Sequence, residues 1–236
     1  MKKNLTELVF ILDKSGSMSP LTDDTIGGFN SLLDKQKNEE GDALVTTVLF
    51  NHEIQVLHNR IPIEHVSPIS RKDYLASGMT SLLDAMGSTI DHIKNEHIIM
   101  PKEERPEKVM FVIITDGAEN SSKEYNIKQV KNLVNTCKEL LGWEFLFLGA
   151  NIDAVETADA FGIDASRAVN YNCDKEGTEL NYKVLSETVS CVRQCKPISA
   201  NWKADIEKDF EARSKNSRNS KSEKKSLFSN KSRKLF

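Results

Sequence analysis

Two aspartates stand at the ends of long apolar runs. Leu8-Val-Phe-Ile-Leu12 ends in Asp13, and Val109-Met-Phe-Val-Ile-Ile114 ends in Thr115-Asp116. Asp13 opens a hydroxyl-rich turn, Asp13-Lys14-Ser15-Gly16-Ser17. In a compact turn the alternate residues Asp13, Ser15 and Ser17 point the same way, and Gly16 permits the bend. One loop then offers a carboxylate and two hydroxyls, and Asp116 faces it with a second carboxylate. All are hard oxygen donors. A hard divalent cation such as Mg2+ or Mn2+ takes about six of them near 2.1 Å and keeps several waters. The chemistry these residues point to is cation binding.

The elements that must position them follow from the hydrophobic pattern. Continuous apolar runs are read as strands buried on both faces of a parallel sheet. A third run, Phe145 to Leu148, ends in Gly149-Ala150-Asn151. Residues 44–50 and 53–57 flank Asn51-His52 and predict an antiparallel pair at a sheet edge. Helical spacing is carried by Ile26, Phe29, Leu32 and Leu33 over about 23–38, and by Leu82, Leu83, Met86, Ile90 and Ile93. It recurs in Ile127, Val130, Val134, Cys137 and Leu141, with Gly142 as C-cap. A short helix over Ile152 to Ala158, a strand near 168–171 and a helix over about 179–195 complete the order. The alternation predicts an α/β, doubly wound (Rossmann-like), mostly parallel six-stranded sheet, with one antiparallel edge strand and helices on both faces. Ligands of such sheets bind outside the carboxyl ends of the strands, where the strand order reverses. Asp13 and Asp116 belong to that edge.

The pattern resembles a known family. Asp13-Lys14-Ser15-Gly16-Ser17 is similar to the Asp-x-Ser-x-Ser signature of the metal-ion-dependent adhesion site of von Willebrand factor type A (vWA) domains. Gly78-Met79-Thr80 resembles that family's second loop, with its metal-seeking threonine, and Thr115-Asp116-Gly117 resembles its third. The match runs over roughly residues 5–195 and is nearest to small, stand-alone, intracellular bacterial members. It implies that Ser15, Ser17 and Thr80 ligate Mg2+ or Mn2+ through oxygen. Asp13 and Asp116 would hold waters and orient the hydroxyls. It also implies a protein partner that supplies a Glu or Asp carboxylate to the metal; by analogy that partner is an ATPase or a stress-response complex. Each piece has an ordinary alternative. Thr80 or Ser81 could cap the next helix, with Asp84 closing a capping box on Ser81. Asp116-Gly117 is a common turn. The three loops together, each at a strand-to-helix junction, single out the metal reading. Glu119 and Asn120 are candidates for the rim or for a solvated turn, and Asn151 for a cap of the helix after it.

Composition narrows the rest. At 39 % hydrophobic, the 236 residues can bury a real core. No apolar stretch is long enough for a membrane helix. The run after Lys2-Lys3 stops at Asp13, too short for a signal-peptide core, so a cytoplasmic protein without a membrane role is expected. The domain is expected over 1–196, followed by a basic Ser/Lys-rich tail over 197–236, expected to be disordered apart from a further helical turn or two over 202–210. From Ala212 onward there are nine Lys or Arg and one Glu, so the rest is strongly acidic although the whole chain carries only −3. Nucleic acid is expected, if at all, only at the tail. Cys137, Cys173, Cys191 and Cys195 form no Cys-x-x-Cys pair and read as buried apolar side chains. The five histidines are scattered and read as surface or turn residues. No phosphate-binding glycine loop and no nucleophile–base pair occurs, so no enzyme is expected. The alternatives are a Mg2+-dependent phosphohydrolase built on Asp13, and a nucleic-acid docking protein acting through the tail.

Overall fold

A computed structural model of the chain describes residues 1–214. Six strands form one sheet in the order β3-β2-β1-β4-β5-β6. They are β1 (Lys2–Asp13), β2 (Asp42–Phe50), β3 (Ile54–Pro62), β4 (Pro106–Thr115), β5 (Glu144–Gly149) and β6 (Ala168–Asn170). Every neighbouring pair is parallel except β2–β3, so β3 is the antiparallel edge strand the sequence predicts. Five helices alternate with the strands: α1 (Thr22–Lys37), α2 (Leu82–Ile99), α3 (Ile127–Leu141), α4 (Ala154–Ala160) and α5 (Lys175–Arg193). Gly142 ends α3 in the left-handed region at φ 67°, as a helix C-cap without Cβ strain.

β1 is central and its side chains divide by parity, as the twofold repeat of a strand requires. Leu8, Phe10 and Leu12 join the core under α1 and α5, while Val9 and Ile11 join the core under α2, α3 and α4. The chain passes from β1 to β2 on one side and later returns to place β4 on the other. The order therefore reverses between β1 and β4. Leu12 lies level with Ile114, so Asp13 and Asp116 emerge side by side at that point.

Glu7, fully buried at the middle of β1, accepts bonds from Arg60 Nε and His97 Nε2, each at 2.6 Å. This group ties β1, β3 and α2 together. His97 and His58 are both buried, which corrects the surface or turn role expected for all five histidines.

Two boundaries differ from the sequence reading. α5 begins at Lys175, where Asp174 caps Gly177 N at 2.9 Å; its first turn is polar, so the apolar spacing starts late. The packed chain also continues past residue 196. Ile198, Trp202 and Ile206 are buried in the core, and 204–214 is helical. The expectation of a disordered tail otherwise falls on 215–236, outside the described residues. Among the described residues no helix is long and apolar enough to cross a membrane.

Candidate metal site

Three loops meet at the reversal point. The first is built around Asp13, which is 1 % exposed. Its Oδ1 accepts from Ser15 N at 2.6 Å, and its Oδ2 accepts from the Thr115 hydroxyl at 2.6 Å. Tyr74 OH donates to the Asp13 carbonyl oxygen. Both carboxylate oxygens are thus spent on shaping the turn and joining β1 to β4. The turn then runs as a 3-10 helix over Gly16–Leu21, which brings the Ser15 and Ser17 hydroxyl oxygens to 3.1 Å of each other. Ser17 Oγ donates to Asp116 Oδ1 at 2.6 Å.

Thr80 closes the group. A Cβ added at Gly117 would lie 3.4 Å from Thr80 Oγ1 and 3.8 Å from Ser17 Oγ, so both hydroxyls face the space beside that glycine. Backbone bonds fix this loop against the others: Gly16 N to Gly78 O at 3.0 Å, Ser77 N to Lys14 O at 2.9 Å, and Asn120 N to Thr80 O at 3.0 Å. The structure therefore gathers all five residues singled out in the sequence. Of the two open readings of Thr80, the helix cap has no support. The N-cap of α2 is Ser81, its side chain makes no cap bond, and its hydroxyl meets Ser121 Oγ at 2.7 Å. Asp84 closes no capping box either; its carboxylate accepts the N–H groups of Lys123, Glu124 and Tyr125.

Several supporting residues gave no clear signal in the sequence. Asn120 Oδ1 accepts from Thr80 N at 2.9 Å and so orients the threonine. Glu119 faces inward: it accepts from the backbone of Leu83, Ser121 and Ser122 and from the Ser122 hydroxyl, which clamps the third loop to α2. Lys14, beside the site, donates to Gln55 Oε1 at 2.7 Å on the edge strand. Asn151 is not a helix cap; Asp153 fills that position, and Asn151 Nδ2 reaches Asp116 O at 3.3 Å. Cys173 is not a buried apolar filler. It is half-buried, its Sγ lies 3.6 Å from Asp116 Oδ2, and burial pushes the thiol up to about 11.

Among the described residues, no three or more His, Cys, Asp or Glu side chains cluster as metal ligands. A cation here would rest on hydroxyl oxygens, with the two aspartates behind them. The residues fit that demand. Ser17 donates its one hydrogen to Asp116 and has the Ser15 hydroxyl against one lone pair, which leaves its other lone pair for a cation. Burial raises the Asp13 carboxyl above its ordinary value, against the opposing Thr115 and Ser15 bonds. A positive charge nearby would relieve that burden.

Neither a protein-family model nor a curated protein sequence matches the chain. Solved structures do. Proximal thread matrix protein 1 of the mussel byssus aligns at TM-score 0.53 and 12 % identity, over 79 % of this chain and 46 % of that one. A von Willebrand factor type A structure from Catenulispora acidiphila aligns at 0.53 and 14 %, over 78 % and 42 %. The fold is that of a von Willebrand factor type A domain. The manganese-loaded TRAP protein of Plasmodium vivax shares it at TM-score 0.52 and 15 % identity, over 76 % of this chain and 73 % of that one. The vWA fold here spans less than half of the mussel and Catenulispora chains.

Proposed function

We propose that this vWA chain is a divalent-cation-dependent protein-interaction module. Ser15, Ser17 and Thr80 hold Mg2+ or Mn2+, and a Glu or Asp carboxylate of a partner protein completes the coordination. One observation carries the reading: hydroxyls from two separate loops face one space, with a third loop's carboxylate, Asp116, accepting the Ser17 hydrogen bond. The manganese in the TRAP structure, on the same fold, supports it.

The physical sense is electrostatic. Neutral hydroxyls donate little charge, so a cation bound by them stays electrophilic toward an incoming carboxylate. Asp116 fixes the Ser17 hydrogen, Asp13 fixes the turn, and Asn120 fixes Thr80. Such a site binds without turnover, and the proposal includes no catalysis. It places the protein in the cytoplasm, docked on an acidic side chain of an ATPase or stress-response complex.

Calorimetry with Mn2+ and Mg2+ tests the first step, and a partner capture with and without chelator tests the second. Saturable 1:1 uptake that is lost in Thr80→Val is expected. A full-length protein that takes up neither ion ends the proposal.

A further inference from the structure

Asp116 is held from both sides, and only one side belongs to the three loops of the proposed site. Its Oδ1 accepts from Ser17. Its Oδ2 meets the Cys173 thiol at 3.6 Å, and its backbone oxygen meets Asn151 Nδ2 at 3.3 Å. Cys173 follows β6 and Asn151 follows β5, so two further strand ends reach the same aspartate. Asn151 does this at φ 55°, a left-handed conformation uncommon for a residue with a side chain. Asp116 is 2 % exposed, and a carboxylate so buried needs donors on both oxygens.

We infer that Cys173 and Asn151 are positioning residues for the cation site, acting through Asp116. Resting on the proposed cation binding, this adds a fourth and a fifth loop to the machinery. The carboxylate can turn about its Cβ–Cγ bond. If it turns, Ser17 loses its acceptor, and its hydroxyl hydrogen is free to swing into the space a cation needs. The thiol on Oδ2 opposes that turn, and the amide on the backbone oxygen holds in place the strand end from which the carboxylate hangs. An S–H group is a weak donor, so its effect is small in energy and lies in orientation.

The discriminating experiment compares full-length wild type, Cys173→Ala, Cys173→Ser and Asn151→Gly by Mn2+ calorimetry and by the Mn2+ electron-spin resonance of the bound ion. Serine keeps a hydrogen-bond donor, a stronger one on a shorter bond. Glycine accepts the left-handed backbone and deletes only the amide. Cys173→Ala and Asn151→Gly should each weaken Mn2+ binding by about tenfold, the lower end of the range for groups that orient ligands. Cys173→Ser should retain wild-type affinity and lineshape. A merely structural role would not give rescue by serine with equal melting temperatures for the two Cys173 variants. Wild-type affinity in both Cys173→Ala and Asn151→Gly overturns the inference. Equal loss in Cys173→Ala and Cys173→Ser also overturns it. No Mn2+ uptake by wild type is a different result, which removes the proposed function itself.

Discussion

Ser17 Oγ donates to Asp116 Oδ1 at 2.6 Å, a bond that joins residues 99 positions apart and couples the end of β1 to the end of β4. Ser17→Ala removes an oxygen from the proposed cation site and also leaves a buried carboxylate oxygen without its donor. The expected result is a loss of Mn2+ affinity of at least about tenfold. The unpaired oxygen should cost the metal-free domain about 1–3 kcal/mol. Calorimetry and urea unfolding measure the two effects separately. A variant that loses stability but binds Mn2+ as well as wild type would remove Ser17 from the site.

Cation binding should appear as stability. A ligand bound only by the folded state at a hundred times its Kd adds about 2.7 kcal/mol, which for a domain of this size is a rise of roughly 5–10 °C in Tm. Asp13 gives the effect a pH dependence. Burial raises its carboxyl in the folded state, so the unfolded chain ionises it at lower pH. The metal-free domain therefore loses stability as pH rises through that interval, and a cation offsets the loss. The Mn2+ shift in Tm should be larger at pH 7 than at pH 4, and EDTA should abolish it. A melting curve indifferent to 10 mM Mn2+ at pH 7 would count against the proposed site.

The fold was legible because its parts are local. Apolar runs that end in Asp13 and Asp116 mark buried parallel strands, and alternating helices fix a doubly wound sheet. What supports Asp116 and Asp13 was not legible, because it comes from far along the chain. Tyr74 lies in an irregular stretch with no periodic signal, yet its hydroxyl reaches the Asp13 carbonyl. Cys173 reads as a small apolar side chain until β6 carries it to Asp116. Asn151 reads as a helix cap because it precedes a helix, and only the left-handed backbone turns its amide elsewhere. His97 reads as a surface histidine because its partner, Glu7, is 90 residues away.

The core extends beyond the boundary set from sequence, and Trp202 is the residue that shows it. The residue is 9 % exposed and its Nε1 donates to Ser166 O at 2.8 Å. Trp202→Ala should cost about 3–5 kcal/mol, the usual range for removing a large buried aromatic side chain. A chain ending at 196 should melt well below one ending at 214, because it also loses Ile198 and Ile206 from the core. Equal melting temperatures for the two truncations would mean that this segment adds nothing to the domain.

His58 should make stability fall on acidification. It is buried on β3, with Nδ1 3.0 Å from the Thr47 hydroxyl, and burial lowers its pKa against the opposing charge of Asp73. Lys37, the other charged group acting on it, also lowers it. The folded state therefore prefers the neutral ring. Below the ordinary histidine value the unfolded chain binds the proton first, so stability present at neutral pH is lost as pH falls toward the depressed folded value. In His58→Gln that part of the slope disappears, while the contributions of other groups remain. Urea unfolding at pH 7.5 and pH 5.5 measures the difference. Wild type should lose more stability between the two than the glutamine variant, and equal losses would show that the ring is protonated as easily folded as unfolded.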